Sequence, residues 1–209
     1  MQNHNPSNTI PRDKAIFIDR DGTLNEMVYD ETHGLFDSPR RPEQVVLIPG
    51  VAEFMVKARK LGYKLIVVTN QPGIAKGTLT VSELEVVNKR LAELLAQEGA
   101  FWDSLYYCPH HPKGRPGIAS PYVMDCDCRK PKPGLLLRAA AEMNLDLPAC
   151  WMVGDGLTDV QAAVAAGCRG ILITSLKIEQ LERLMAIENN TSIIIKSNLA
   201  KALAVIELS

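Results

Sequence analysis

The chain predicts a doubly wound α/β fold: a mostly parallel sheet covered by helices on both faces. Three observations carry this. Short, continuous apolar runs with β-branched and aromatic residues alternate with longer segments whose apolar residues recur at helical spacing. Strands joined by helices of that length need right-handed crossovers, which lay helices over both faces of a parallel sheet. The 209 residues are 46% hydrophobic, show no internal repeat and contain no linker dividing two cores, so one domain over residues 13–209 is expected.

The elements follow in order. Residues 15–18, Ala-Ile-Phe-Ile, form the first strand. Pro49-Gly50 opens a helix with Val51, Phe54, Met55, Ala58 and Leu61 on one face, stopped by Gly62 as a C-terminal cap. Residues 65–68 form a buried strand. Thr80-x-x-Glu83 fits a capping box, ahead of a helix carrying Leu84, Val87, Leu91, Leu94 and Leu95 and ending near Gly99. A short strand at 105–107 precedes residues 108–133, which are rich in Pro, Gly, Cys and His and lack helical or strand periodicity. A helix at 134–143, a strand at 151–153, a helix at 158–166 and a strand at 170–173 come next. A helix at 179–187, a strand at 192–195 and a terminal helix at 198–206 complete the pattern. The stretch 28–45, with Arg40, Arg41 and Pro42, is too polar and irregular for a core element. It reads as a loop beside the end of the first strand, either shaping access to a site there or making an ordinary surface excursion.

Composition excludes several classes. The formal net charge is −1, so there is no basic surplus of the kind that non-specific nucleic-acid binding requires. Residues 1–12 are polar, with Asn3, Asn5 and Asn8, and lack the apolar core of a secretion signal; they read as a disordered lead-in. No apolar run approaches the ~18 residues that span a bilayer, and a cytoplasmic location is the default. Five cysteines without a secretion signal argue against a disulfide framework. Cys150 and Cys168 sit in apolar surroundings and read as buried thiols.

The strand ends carry the chemistry. The first runs into Asp19-Arg20-Asp21-Gly22-Thr23. Two carboxylates this close raise each other's pKa and need a positive partner, and a hard cation such as Mg²⁺ takes oxygen ligands of this kind. The C-terminal ends of strands are where open α/β sheets place ligands. Thr69-Asn70-Gln71 follows the second strand, where a hydroxyl and backbone N–H groups can bind phosphoryl oxygens; a simple turn before a helix fits equally. Arg129 and Lys130 precede a helix, Lys as a point-charge phosphate binder and Arg as a planar fork. Gly154-Asp155-Gly156-Leu157-Thr158-Asp159 ends a later strand. Asp155 can complete a cation site with Asp19. Asp159 fits either a supporting group or an acid complementing the helix dipole, and Asp155 or Thr158 would also serve as an N-cap.

Asp-x-Asp-Gly-Thr, Thr-Asn, a pre-helix Lys and Gly-Asp-x-x-x-Asp, in that order and each at a strand's end, resemble the haloacid dehalogenase superfamily over residues 14 to about 173. The resemblance implies a Rossmann-like fold and a Mg²⁺-dependent phosphatase. Asp19 would be the nucleophile forming an aspartyl-phosphate, Asp21 the acid/base, and Thr69 and Lys130 the phosphoryl stabilisers. Mg²⁺ would be held by Asp19, the main-chain oxygen of Asp21, and Asp155, with Asn70, Gln71 and Arg129 binding substrate.

Cys108-Pro-His110-His111 and Cys126-Asp-Cys128 form a second cluster. Alternate positions of an extended loop can converge, and three thiolates with one imidazole make a closed, structural zinc site. Spacing leaves His110 and His111 open, with His110 preferred. The zinc loop, 108–130, is similar to that of a capless subgroup containing heptose-bisphosphate and histidinol-phosphate phosphatases, in which this loop stands in for a cap domain. The implied activity is removal of the 7-phosphate of a heptose 1,7-bisphosphate by a monomer, on the way to nucleotide-activated heptose. A histidinol-phosphate phosphatase is the near rival. A zinc-stabilised binding protein without turnover and a nucleic-acid end phosphatase are the more distant ones. An enlarged loop at 30–44 and Gly156 depart from the subgroup's pattern and bear on substrate identity.

Overall fold

The computed structural model describes residues 12–31, 34–114, 117, 119–174 and 193–209. Along the chain, β1 (Ala15–Ile18) is followed by β2 (Val28–Asp30) and β3 (Leu35–Asp37), then α1 (Val51–Lys60), β4 (Lys64–Asn70), the short α2 (Pro72–Ala75) and α3 (Val81–Gln97). Next come β5 (Ser104–Cys108), α4 (Gly134–Met143), β6 (Trp151–Gly154), α5 (Leu157–Ala166) and β7 (Arg169–Ile173). β8 (Ile193–Lys196) and α6 (Leu199–Glu207) close the described chain. The helix expected at 179–187 lies outside the described residues.

Six strands form one sheet in the order β5-β4-β1-β6-β7-β8, and every pairing in it is parallel. Chain order reverses direction at β1: β4 and β5 lie on one side, β6 to β8 on the other. The crevice at such a switch point opens beyond the strands' C-terminal ends, the binding position of doubly wound sheets.

Alternating side chains build two cores. On one face Ile16, Ile18, Leu65 and Val67 pack with Phe54 and Met55 of α1, Leu91 of α3 and Leu203 of α6. On the other, Phe17, Ile66, Val68 and Met152 pack with Leu136 and Ala139 of α4 and Ala162 of α5. β1 is buried on all four residues, which explains its unbroken apolar run. The expected capping box forms at α3: Thr80 Oγ1 accepts from the Glu83 N–H at 3.2 Å, and the Glu83 carboxylate accepts from the Thr80 N–H at 2.7 Å.

The stretch 28–45 is more ordered than a loop. β2 and β3 pair antiparallel, with Tyr29 opposite Phe36 and their rings 5.3 Å apart. A 3₁₀ turn at Pro42–Gln44 follows. The hairpin eluded the sequence reading because neither strand has a core face to impose an apolar pattern: Tyr29, Leu35 and Phe36 are all exposed. No helix among the described residues is long and apolar enough to cross a membrane.

Candidate active site and metal centres

β1 delivers Asp19 and Asp21 to the switch point, and the Asp19 N–H donates to the Val153 carbonyl at 2.9 Å, extending the ladder to β6 by one residue. β4 brings Thr69 and Asn70 as its last two residues rather than in a turn after it. β6 ends at Gly154, placing Asp155 across from Asp19. These residues, with Arg129, Lys130, Ser38 and Asp37, line a pocket of about 240 Å³.

Two glycines permit the close packing here. Gly22 has φ +85°, and a Cβ on it would lie 2.2 Å from the Asp155 carboxylate, so only glycine lets that carboxylate close on the turn. A Cβ on Gly154 would lie 2.2 Å from the Asp159 carboxylate, which folds back over the end of β6.

Lys130 organises the floor of the pocket. Its ammonium is buried and meets Asp19 at 2.8 Å, Asp159 at 2.6 Å and the Val68 carbonyl at 2.7 Å, which uses all three donors. Asn70 fixes it from the other end: the Asn70 amide donates to the Lys130 carbonyl at 3.0 Å and accepts from the Lys130 N–H at 3.1 Å. Burial works against the Lys130 charge, but Asp159 and Asp19 outweigh it and hold the ammonium well above its ordinary range. Asp159, left open between two roles by the sequence, is the buried counter-ion of Lys130, and its carboxylate also accepts from the Gly156 N–H at 3.0 Å. The N-cap of α5 is therefore Gly156, not Asp155 or Thr158. The signal was the spacing of Gly-Asp-x-x-x-Asp, which returns the second Asp one helical turn later.

Oxygens of Asp19, Asp155 and Asp159 all lie within 4.8 Å of one another. Three carboxylates face one ammonium, a deficit of positive charge. Burial, and then Asp159, push the Asp19 carboxyl up to about 7; burial and Asp19 push Asp155 up to about 6. Asp155 is more exposed than Asp19 and shifts less. A divalent cation between Asp19 and Asp155 fits this donor set and supplies the missing charge. The raised values carry a stability consequence. A carboxyl whose pKa rises on folding favours the folded state most below its ordinary value of 3.8 and loses that contribution as pH climbs through the folded value. Asp21, lowered instead, contributes in the opposite sense, at the acid end. Protein without Mg²⁺ should thus melt at a lower temperature at pH 8 than at pH 5, and added Mg²⁺ should stabilise it more at pH 8. Melting curves showing the same Mg²⁺ shift at both pH values would remove this site.

Asp21 is held quite differently. Arg20, fully buried, donates from Nε to Oδ1 at 3.0 Å and from Nη2 to Oδ2 at 2.9 Å. Asn25 donates to Oδ1 at 3.0 Å, Gln71 to Oδ2 at 2.7 Å and Ser38 to Oδ2 at 2.9 Å. Burial would raise this carboxyl, but the Arg20 charge and the Asn25, Arg20 and Gln71 hydrogen bonds win and hold it below the ordinary carboxylate range. Gln71 is 1% exposed, and its amide donates to Asp21 at 2.7 Å and to Thr69 at 2.9 Å, behind the pocket lining. Arg20, Asn25 and Ser38 were not singled out in the sequence. Arg20 had a legible signal, a cation between two carboxylates; Asn25 and Ser38 had none. Arg129 does face the pocket, with Nη1 3.4 Å from the His110 carbonyl.

The second cluster assembles at the end of β5. Ligand atoms of Cys108, His110, Cys126 and Cys128 all lie within 4.8 Å of one another. The three sulfurs are 3.2, 3.4 and 3.5 Å apart, and His110 Nδ1 is 3.2 Å from Cys128. A tetrahedral zinc with Zn–S bonds of about 2.3 Å has ligand separations of roughly 3.8 Å, so this set fits such an ion with a small expansion. Burial pushes the Cys108 thiol well up, and a cation would reverse that. His111 is turned away, its Nδ1 engaged with the Lys113 backbone. Cys150 and Cys168 are buried elsewhere.

The chain is similar to known phosphatases. A family model described as HAD-hydrolase-like matches residues 127–199. D-glycero-beta-D-manno-heptose-1,7-bisphosphate 7-phosphatase of Escherichia coli K12 is 43% identical over 152 residues, covering 73% of this chain and 74% of that protein. The enzyme of the same name from Pasteurella multocida Pm70 is 39% identical over 160 residues, 77% of this chain and 80% of that one. Among solved structures, a HAD-like phosphatase from Mesorhizobium loti superposes with a TM-score of 0.77 at 33% identity, covering 95% of this chain and 88% of that one. D,D-heptose 1,7-bisphosphate phosphatase from B. bronchiseptica, solved with magnesium and phosphate, gives 0.72 at 27% identity, covering 93% and 98%.

Proposed function

The chain belongs to the haloacid dehalogenase-like phosphatases, in the group that contains the D-glycero-beta-D-manno-heptose-1,7-bisphosphate 7-phosphatases, and on that premise we propose that it removes the 7-phosphate of a heptose 1,7-bisphosphate through an aspartyl-phosphate. The observation that carries the chemistry is the Asp19–Lys130 pair at 2.8 Å, set among three converging carboxylates. The relatives supply the substrate.

Asp19 attacks phosphorus and the bond to the sugar oxygen breaks. Asp21 gives that oxygen its proton, then takes one from the water that hydrolyses the aspartyl-phosphate. The donors around Asp21 favour its ionised form, which suits the second half of the cycle. Thr69 and Lys130 meet the phosphoryl oxygens. Lys130, desolvated and held by Asp159, can do so by passing the N–H now on Asp19 to the phosphoryl group that Asp19 takes up. Mg²⁺, held by Asp19, the Asp21 main-chain oxygen and Asp155, would neutralise carboxylate and phosphate as they approach. Zinc on Cys108, His110, Cys126 and Cys128 would act structurally, since four protein ligands leave no open position. It would tie down the loop that presents Arg129 and Lys130.

Phosphate release with Mg²⁺ should be measured on both anomers of heptose 1,7-bisphosphate, fructose 1,6-bisphosphate and histidinol phosphate. A heptose anomer should be preferred. Preference for histidinol phosphate, the nearest rival, would overturn the substrate assignment.

Arg129 is the proposed contact to the substrate beyond the reacting phosphate. A planar fork binds a second phosphate or a sugar oxygen in a way that Lys cannot copy. Arg129→Lys should therefore raise KM for the bisphosphate by about tenfold and leave a simple phosphate ester nearly unchanged. Lys130→Ala should impair both. Equal losses on both esters in Arg129→Lys would show that Arg129 only closes the zinc loop.

A further inference from the structure

We infer that Ser38 fills the subsite of the leaving oxygen in the free protein, and that the substrate's leaving group continues past it into a pocket walled by the β2–β3 hairpin. The inference rests on the acid/base reading of Asp21 but not on the identity of the sugar.

Asp21 is met by five donor contacts, and they are not equivalent. Arg20, Asn25 and Gln71 are at most 1% exposed and none of them lines the catalytic pocket. Ser38 is half-buried, donates to Oδ2 at 2.9 Å and does line that pocket. The face of Asp21 open to substrate is thus the face that Ser38 covers. Oδ2 already meets three donors, Arg20 Nη2, Gln71 Nε2 and Ser38 Oγ, while a carboxylate oxygen offers about two lone-pair sites. A leaving oxygen can receive a proton there only by replacing one of them. Losing the Arg20 Nη2 or Gln71 contact would take a bond from a buried guanidinium or amide that cannot turn to water instead. Ser38 can turn its hydroxyl to water. It is the partner that yields, and its oxygen marks where the leaving oxygen goes.

Ser38 and Asp37 also line a second pocket of about 440 Å³, whose other walls include Tyr29, Asp30, Arg40, Arg41 and Gln44. Asp37 holds this wall together by accepting from the Ser38 N–H at 2.8 Å and from Arg40 at 2.5 Å. Carboxylates, an amide and guanidinium groups around a cavity of that size suit a polyhydroxylated leaving group, with Arg41 available to a second anionic group on it.

Ser38→Ala tests the subsite on the full-length protein with Mg²⁺, using p-nitrophenyl phosphate and fructose 1,6-bisphosphate. Removing a competing hydroxyl should raise kcat/KM by about two- to tenfold on both esters, mainly through KM. A lower kcat on the sugar ester alone would overturn the inference. That result would make Ser38 a group that positions Asp21, because nitrophenolate departs without needing a proton. No change on either ester would also overturn it. In crystals of Asp19→Asn with fructose 1,6-bisphosphate, the bridging oxygen should stand within hydrogen-bond distance of Asp21 with Ser38 turned away; Ser38 still bonded to Asp21 refutes displacement. Good turnover of these esters with none of heptose bisphosphate would refute the substrate assignment and leave this test intact.

Discussion

Asp19→Asn is expected to abolish turnover while leaving the fold in place. The substitution keeps the size and shape of the side chain and removes the attacking oxyanion, so no aspartyl-phosphate can form. Loss of a covalent nucleophile costs on the order of 10⁴–10⁶-fold in kcat. The fold should tolerate it because Asp19 sits among like charges: its carboxyl is pushed up to about 7 by burial and by Asp159. Asn removes one of three clustered carboxylates, and Lys130 keeps Asp159 at 2.6 Å. In Mg²⁺-free buffer at pH 8 the variant should melt no lower than the parent protein. Phosphate release together with melting curves checks both parts. Turnover within tenfold of the parent would exclude the covalent route, and collapse of the fold would show that the ion pair to Lys130 at 2.8 Å is structural.

Cys126→Ser is expected to cost both zinc and activity, in that order of cause. Purified protein should carry about one zinc per chain. Replacing one of the three thiolates in a four-ligand set weakens a site whose apparent binding energy is, for structural zinc, about 10–16 kcal/mol and is also folding energy. A loss of ~3–5 kcal/mol would lower the melting temperature of a chain of this size by roughly 6–20 °C. Activity should fall about tenfold or more although Cys126 lines no part of the catalytic pocket. The route is short: Cys128 precedes Lys130 by two residues, and the Asn70 amide clasps the Lys130 backbone at 3.0 and 3.1 Å. Elemental analysis finding no zinc in protein purified without chelators would remove the claim. Zinc that can be stripped with folding and activity unchanged would remove its structural role.

The strand ends were legible because a buried parallel strand leaves a distinct trace. Ala15 to Ile18 is apolar throughout, and polar residues reappear at Asp19 where the sheet opens to solvent. The helices were legible for a similar reason, each having one apolar face; α4 matched its expected bounds, and α3 begins at its capping box. The zinc ligands were legible from residue type, since Cys and His at alternate positions have few other reasons to cluster. The hairpin was not, because its side chains face water and carry no burial pattern. The orientation of Gln71 was not legible for a related reason: its place in the chain, two residues after Thr69, says nothing about whether its amide turns toward the pocket or behind it.

By itself the sequence determined the order of the described strands and helices of the main sheet, their parallel pairing, the two aspartates at the end of β1 and the thiol–imidazole cluster. All of these follow from local periodicity or from the chemistry of neighbouring residues. Only the tertiary structure decided how partners distant in the chain were assigned. It gave Lys130 to Asp159 rather than to solvent, turned His110 inward and His111 out, and surrounded Asp21 with Arg20, Asn25, Gln71 and Ser38. A hydrogen bond depends on the direction of a side chain within about an ångström, and that direction is set by packing between β4, the hairpin and the zinc loop. Spacing along the chain can bring such residues to the same end of the sheet, but it does not determine which of them face substrate and which hold the others in place.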